Sequence, residues 1–238
     1  KGLHDELVEI LGPDNILANP QELVAYHVDE MPPSLAVFPS HTEHIRQIVR
    51  VANRDGIPIV PWGNGSKQNI GFPLGRTGII LRLKKLNHLL ELDAPNLTAA
   101  VETGMNHAEL QRKLEKHGLH FPLEPEDMES ATVGGSLATN SSGPGRLLHD
   151  TARDLVLGVT VVTPIGEVIH AGIKTMKNVA GYDMRKLFFG SWGTLGVITE
   201  AVLKLSYLPE ASKTLLLRFP NIAGIIQIAK NILDSPLT

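Results

Sequence analysis

The sequence predicts an α+β fold, in which many short strands alternate with few helices. Its 238 residues are enough for one large domain or two small ones, and 42% of them are hydrophobic. Apolar runs bounded by Gly and Pro predict the strands, and a few amphipathic stretches predict the helices. A regular doubly wound parallel sheet would need more helices than the pattern supplies, so we expect α+β instead.

The first half of the chain predicts three helices and several short strands. The helices are residues 2–11, a segment capped by Ser40 or Thr42, and Glu109–His117, which ends at Gly118. The middle helix carries its apolar face on Ile45, Ile48, Val49 and Ala52. The predicted strands are Ala36–Pro39, Ile57–Val60, Thr77–Leu83 and, after a turn, Thr98–Glu102.

The second half predicts a hairpin, a long strand and a terminal strand–helix pair. Leu155–Val162 and Glu167–His170 form the hairpin around a Thr-Pro-Ile-Gly turn, and Gly196–Leu205 alternates as one long strand. Thr214–Phe219 predicts a last strand, and Ile222–Leu233 predicts an amphipathic helix.

Two glycine-rich segments are the main functional signal. The second glycine segment, Ala131–Gly143, is ATVGGSLATNSSG, and the first glycine segment, Pro61–Asn69, is PWGNGSKQN. Glycine lets a ligand approach the main chain, and bare N–H groups with short hydroxyls can bind phosphate oxygens. Together the two segments suit a ligand with a central diphosphate; the alternative is that each is only a tight turn.

Composition and motif order exclude several other functions. A net charge of −3 gives no reason to expect nucleic acid or an anionic membrane as partner, and we see no membrane span or signal peptide. The chain has no cysteine, which excludes disulfides and a cysteinyl-flavin bond and is typical of a cytoplasmic protein. The first glycine segment lacks the residue order of a P-loop, and Gln68 breaks a dinucleotide fingerprint. His41 and His44 have no evident third ligand, so we expect solvated helix residues and no metal.

Four motifs in the chain resemble the FAD-binding domain of the vanillyl-alcohol oxidase/PCMH family. They are Pro61-x-Gly63-x-Gly65-Ser66; Pro125 followed by Thr132–Gly135; Arg153-Asp154-x-Val156-Leu157-Gly158; and Lys177–Leu205. Within that family they most resemble the FAD-binding subunits of glycolate oxidase and the related D-lactate dehydrogenases. The last motif argues against a reductase of the UDP-N-acetylmuramate type, which shares the fold.

The resemblance implies the residues that bind the cofactor. The first glycine segment would bind the FAD diphosphate, the second would line the flavin and the diphosphate, and Gly196-Val197-Ile198 would contact the adenine and ribose side. The implied set is Pro61, Trp62, Gly63, Asn64, Gly65, Ser66, Lys67, Pro125, Thr132, Val133, Gly134, Gly135, Ala138, Asn140, Ser142, Gly143, Gly196, Val197 and Ile198. Covalent members carry a histidine in the first loop, where this chain has Asn64, Ser66 and Lys67, so noncovalent FAD is implied.

The resemblance also implies the activity and the domains. The activity is oxidation of a 2-hydroxy acid such as glycolate or D-lactate by hydride transfer to the flavin; the alternative is a noncatalytic FAD-carrying electron-transfer subunit. Expected partners are other subunits, such as an iron–sulfur acceptor, or a second copy, in the cytoplasm or peripheral to the membrane. The chain would begin with an N-terminal helix and connection (1–30). A PCMH-type domain would follow, with two α/β subdomains at residues 31–100 and 101–209. Residues 210–238 would begin a C-terminal cap domain, and we assign no catalytic residue.

Other residues carry structural expectations only. We expect Arg153 and Asp154 to form a buried ion pair that holds two strands together. We expect Tyr182 and Asp183 to brace the fold, and Lys177 to be solvated or to brace it as well.

Overall fold

The computed structural model describes residues 2–71, 74–172 and 183–235. The chain forms two units, Lys1–Tyr207 and Leu208–Thr238, which are described separately. Within the described ranges, no helix combines the length and the apolar character needed to cross a membrane.

The first sheet is mainly parallel. Its elements in chain order are α1 (Leu3–Leu11), β1 (Ile16–Leu17), α2 (Pro20–Leu23), β2 (Leu35–Val37), α3 (Thr42–Arg54), β3 (Ile59–Trp62) and β4 (Ile79–Arg82). The strand order is β1-β2-β4-β3, with β2 and β3 both parallel to β4 and β1 antiparallel to β2. The carboxyl ends of β3 and β4 therefore lie side by side, with Trp62 opposite Arg82.

Helix α3 packs on this sheet through the face that its sequence predicts. The buried residues of that face are Ile45, Ile48, Val49 and Ala52. The predicted caps, Ser40 and Thr42, are wrong, because His41 is the N-cap residue. Its ring nitrogen Nδ1 accepts a hydrogen bond from the backbone N–H of His44 at 3.4 Å. An imidazole thus satisfies a first-turn amide that a hydroxyl usually satisfies.

The second sheet is antiparallel. Its region contains β5 (Leu89–Asp93), β6 (Thr98–Glu102), α4 (His107–Glu115), β7 (Leu119–His120), α5 (Val133–Thr139), α6 (Arg146–His149), α7 (Ala152–Leu155), β8 (Val156–Val162), β9 (Val168–Gly172), α8 (Arg185–Phe188), β10 (Val197–Lys204) and β11 (Ser206–Tyr207). The strand order is β5-β6-β10-β8-β9, and β11 pairs with β7. A parallel and an antiparallel sheet in one chain confirm the α+β prediction.

The predicted hairpin and long strand are confirmed as β8–β9 and β10. Strand β5 is missing from the prediction, which has a turn before Thr98. Among the described strands β5 lies at the edge of its sheet and pairs with β6, and all five of its residues are partly or fully exposed. An edge strand of this kind lacks the apolar pattern by which buried strands are predicted.

The second unit contains one helix among its described residues, α9 (Ile222–Leu233), as predicted. The strand prediction for Thr214–Phe219 is wrong, since these residues form no strand. A strand is stable only when its backbone groups pair with a neighbour, and no described segment pairs with this one. Within the described chain no residue of α9 is buried.

The pair Arg153–Asp154 does not form the buried ion pair that we expect from the sequence. Both residues are exposed on the short helix α7, where Asp154 forms a capping box with Thr151. Arg153 donates instead to the carbonyl of Phe189 at 3.3 Å. The Asp154 carboxylate is engaged by Thr151 at the start of α7, three residues earlier, and is therefore not paired with Arg153.

Asp183 braces the fold through Arg185. Its carboxylate accepts two hydrogen bonds of 2.7 Å from the guanidinium, which holds the pKa of Asp183 below its usual range. Arg185 also donates to the carbonyls of Val156 and Leu157 at 2.7 and 2.9 Å, which ties α8 to the start of β8. Lys177 and Tyr182 lie outside the described residues.

His107 is a buried titratable group at the start of α4. Its side chain is 1% exposed and stacks on Phe121, and its Nε2 atom has no hydrogen-bond partner among the described residues. Burial lowers the pKa of His107 to about 4, because a charged imidazolium would lose its hydration there.

We expect this burial to make stability fall as pH falls. In the unfolded chain His107 has a pKa of about 6.5, so below this pH it is protonated there but stays neutral in the folded chain. The free energy of unfolding therefore decreases as the pH falls from about 6.5 to about 4. The loss from His107 alone should reach about 3 kcal/mol. Denaturant unfolding of His107→Leu across this window should show a correspondingly weaker pH dependence. The exposed His117→Gln is the control, and equal pH profiles for His107→Leu and wild type would contradict the assignment.

Candidate functional site

The two glycine segments meet in the folded chain. Gly63 follows β3 directly, and a Cβ atom at that position would lie 2.5 Å from the Oγ1 atom of Thr132. Only a residue without a side chain permits this approach. Two stretches about 70 positions apart in sequence therefore form one continuous surface.

Two side chains tie the segments together on either side of this contact. The Asn64 amide nitrogen Nδ2 donates to the carbonyl oxygen of Ser130 at 2.7 Å. The Lys67 ammonium donates to Ser141 Oγ at 2.8 Å and lies 3.5 Å from Thr139 Oγ1. The first segment is thus anchored to both ends of the second.

The second glycine segment is partly a helix rather than a loop. Thr132 is the N-cap of α5, its hydroxyl accepting from the Gly135 N–H at 3.1 Å. Gly134 packs against Thr103, where a Cβ would lie 2.9 Å from the Thr103 Cβ. Gly134 allows this close packing, and positive φ values within the segment belong to Asn140 (52°), which ends α5, and to Gly143 (63°).

Arg82 belongs to this site, although sequence reasoning missed it. It ends β4 beside Trp62, and its NH2 atom donates to the Asn64 side-chain oxygen at 2.8 Å. Its Nε and NH1 atoms are buried and have no hydrogen-bond partner among the described residues. The position of Arg82 at the end of a predicted strand is the available signal, since ligands bind beyond the carboxyl ends of parallel strands.

The site carries cations without acidic partners. Within the described residues, neither Lys67 nor Arg82 lies within ion-pair distance of a carboxylate. Burial lowers the pKa of the Arg82 guanidinium, which shows that water solvates it poorly. Two uncompensated cations beside glycine N–H groups and hydroxyls form a surface suited to an anion.

A third segment, Gly190–Ile198, docks on the end of α5. The Gly190 N–H donates to the carbonyl of Leu137 at 3.2 Å, and the Trp192 N–H donates to that of Ala138 at 2.9 Å. A Cβ at Gly193 would lie 3.2 Å from Pro61 Cγ, so this segment also reaches the first. The two glycine segments and this third segment are therefore neighbours.

A cleft of about 250 Å³ opens beside Pro61. Its walls come from β3, the end of α3, the β8–β9 turn and the third segment, and they include Asn53, Thr163, Gly196 and Val197. Ile198 does not line this cleft. It is 5% exposed in the core, and its carbonyl accepts the Thr103 hydroxyl at 2.6 Å.

The predicted site residues divide into an accessible and a buried group. Partly or fully exposed are Pro61, Gly63, Asn64, Gly65, Ser66, Lys67, Gly135, Ala138, Asn140 and Gly143. Buried are Trp62, Pro125, Thr132, Val133, Gly134, Ser142, Gly196, Val197 and Ile198. Trp62, for example, lies beneath Gly65 and packs edge-on against Tyr26 at 5.5 Å, so it supports the first segment from below.

A larger cleft, of about 530 Å³, involves none of the predicted site residues. It lies between α1 and α3 and is lined by His41, His44 and several carboxylates. Among the residues that the structure describes, no three His, Asp or Glu side chains are placed to bind a metal ion. We therefore centre the site on the glycine segments, where convergent geometry and uncompensated charge coincide.

Comparison with known proteins identifies similar chains. Glycolate oxidase subunit GlcD of Bacillus subtilis is 36% identical, over 100% of this chain and 52% of that protein. D-lactate dehydrogenase of Archaeoglobus fulgidus is 35% identical over 90% of this chain and 51% of its own length. D-2-hydroxyglutarate dehydrogenase of Stutzerimonas stutzeri is 31% identical over 95% of this chain and 50% of its own length. The chain thus spans about half the length of these relatives.

Solved structures agree with the fold. Alkyldihydroxyacetonephosphate synthase superposes with a TM-score of 0.75 at 28% identity, over 88% of this chain and 41% of that one. p-Cresol methylhydroxylase superposes with a TM-score of 0.71 at 21% identity, over 88% and 44%. The PCMH-type fold expected from the motifs is confirmed.

A family model described as FAD binding domain matches residues 33–172. This range includes both glycine segments and Arg82, and it covers more than half of the chain. The resemblance found from the motifs is confirmed. The chain belongs to the FAD binding domain family, and its cofactor is FAD.

Proposed function

We propose that this chain is the FAD-binding part of a flavin-dependent oxidoreductase that oxidises a 2-hydroxy acid. The observation that carries the proposal is the joined surface of the glycine segments, with two cations that pair with no carboxylate of the described residues. The named relatives act on glycolate, D-lactate or D-2-hydroxyglutarate, which share a hydroxyl group next to a carboxylate.

The residues present fit FAD. A Cβ at Gly63 would fill the place where the segments meet, and Lys67 and Arg82 suit a diphosphate. In our proposal the first glycine segment and Lys67 bind the diphosphate, and the accessible part of the second lines the flavin and the diphosphate. Pro61, Gly196 and Val197 border the cleft for the adenosine side. When bound, the flavin supplies the two-electron redox chemistry, and the protein supplies binding and orientation.

We propose that the FAD is noncovalent. Covalent members of the resembling family carry a histidine in the first loop, where this chain has Asn64, Ser66 and Lys67. Asn64 and Lys67 are held by Ser130 and Ser141, and the chain contains no cysteine that could attach the flavin instead.

We propose that the FAD-binding domain comprises residues 31–209, with subdomains of about 31–100 and 101–209 after an N-terminal part (1–30). Residues 210–238 would begin a cap domain that carries substrate-binding groups. The boundary between units after Tyr207 and the lack of buried residues in α9 support this division. The greater length of the relatives also supports this division. We assign no catalytic residue within the chain.

A second candidate function is a noncatalytic FAD-carrying subunit that passes electrons to a partner. It is favoured by the relative that is named as a subunit of glycolate oxidase. The partner would be another subunit, such as an iron–sulfur protein, or a second copy of this chain. We propose a cytoplasmic location, with membrane association only through such partners.

Noncovalent binding predicts that acid releases the cofactor. Precipitation of the purified protein should leave yellow flavin in the supernatant, identified as FAD by chromatography. Flavin that stayed with the protein pellet would contradict noncovalent binding, and FMN in the supernatant would contradict the diphosphate assignment.

The contact at Gly63 predicts a specific loss of affinity. Gly63→Ala places a methyl group 2.5 Å from Thr132 Oγ1, so the segments must separate, and we expect FAD affinity to fall at least about tenfold. Fluorescence titration measures this change. Gly75→Ala is the matched control, since a Cβ there meets nothing within 4 Å. Equal affinities for the two variants would contradict the proposed role of the contact.

The two candidate functions differ in the reductive half-reaction. Anaerobic addition of glycolate, D-lactate or D-2-hydroxyglutarate should bleach the flavin of the protein that includes the cap domain. We expect the 238-residue chain alone to bind FAD but to show little turnover with a dye acceptor, because substrate would be poorly positioned. Bleaching by none of the three acids would favour the electron-transfer subunit, and rapid turnover by the 238-residue chain would place the catalytic groups within it.

A further inference from the structure

Arg82 is a charged group that the fold leaves incompletely paired. Of its guanidinium atoms, NH2 donates to Asn64 Oδ1 at 2.8 Å, and Nε and NH1 are buried without a hydrogen-bond partner in the described part of the chain. A guanidinium stays protonated in proteins, so this is a partly buried positive charge and not a neutral donor.

Such an arrangement is costly unless an anion completes it. A buried charge without a partner loses its hydration and gains no Coulomb energy in return. A role in positioning Asn64 accounts for the NH2 contact only, and a neutral donor would serve that role without the cost. The positive charge, with which no described carboxylate pairs, therefore indicates a negatively charged ligand.

The position of Arg82 narrows the choice of anion. The register of the parallel strands β3 and β4 sets Arg82 opposite Trp62, the residue directly before Gly63. Asn64, which it contacts, belongs to the segment that carries Lys67, the second cation with which no described carboxylate pairs. An anion of two linked phosphates carries a negative charge for each of the two cations, whereas a single carboxylate carries one.

We propose that Arg82 binds the diphosphate of FAD, with a phosphate oxygen replacing the Asn64 amide oxygen as the acceptor on NH2. This inference rests on the proposed function, because it requires FAD in this site. The Nε and NH1 atoms of Arg82 are closed to solvent. The ligand would therefore contact the guanidinium at NH2, the atom that donates to the exposed Asn64. The Asn64 amide keeps its bond to Ser130 and holds the segment while its oxygen is released.

The test compares variants of the full chain in FAD titrations at low and high KCl. Arg82→Gln should weaken FAD binding about 10- to 100-fold, as expected for loss of a charge-assisted hydrogen bond. The salt dependence of the affinity should also become flatter, because one ionic contact is gone. Arg82→Lys should fall between wild type and Arg82→Gln. Lys84→Gln removes the same charge from an exposed position two residues away, and its affinity should stay within about twofold of wild type.

Three outcomes would overturn the proposal. The first is FAD binding by Arg82→Gln within twofold of wild type. The second is weaker binding by Arg82→Gln with an unchanged salt dependence, which would identify a positioning residue only. The third is equal weakening of FAD binding by Lys84→Gln, which would indicate a general charge effect. If Arg82→Gln does not fold, Arg82→Met, which also removes the charge, decides by the same two measurements. Failure of the wild-type chain to bind FAD would instead refute the proposed function itself, and this inference with it.

Discussion

The close approach of Gly63 to Thr132 is the constraint on which the site depends. Because Thr132 also caps α5, the same hydroxyl that begins this helix sets how near the first glycine segment can lie. Asn64 and Lys67 hold the approach from either side through Ser130 and Ser141. Backbone amides and hydroxyls of two segments that are far apart in sequence therefore lie on one surface, and these contacts keep them together.

The parallel sheet explains why charge accumulates at this surface. Strands β3 and β4 end at the same edge, so the segment after β3 and the last side chain of β4 are brought together by register alone. The sheet thus supplies Arg82 to a surface that already holds Lys67, and no described carboxylate pairs with either cation. A site built in this way is suited to an anionic cofactor before any specific contact is formed.

The antiparallel sheet provides the rigid support for the other side of the site. Helix α5 is fixed by backbone bonds from Val133 to Met105 and from Gly134 to Thr103, and Thr103 in turn bonds to Ile198 of β10. The third segment docks on the carboxyl end of the same helix through Gly190 and Trp192. Several residues that the motifs place at the cofactor, such as Gly134 and Ile198, therefore act in this structure by packing.

The amino-acid sequence was enough to predict the family, the α+β class, the amphipathic face of α3 and the glycine segments, because each depends on local spacing or on a contiguous motif. It did not determine that α5 is a helix, that His41 caps α3, that β5 is a strand or that Thr214–Phe219 is not one. Those features depend on which backbone groups find partners in the folded chain. The sequence also did not predict that Arg82 belongs to the site, because the register of β3 and β4 decides which residue lies beside Trp62.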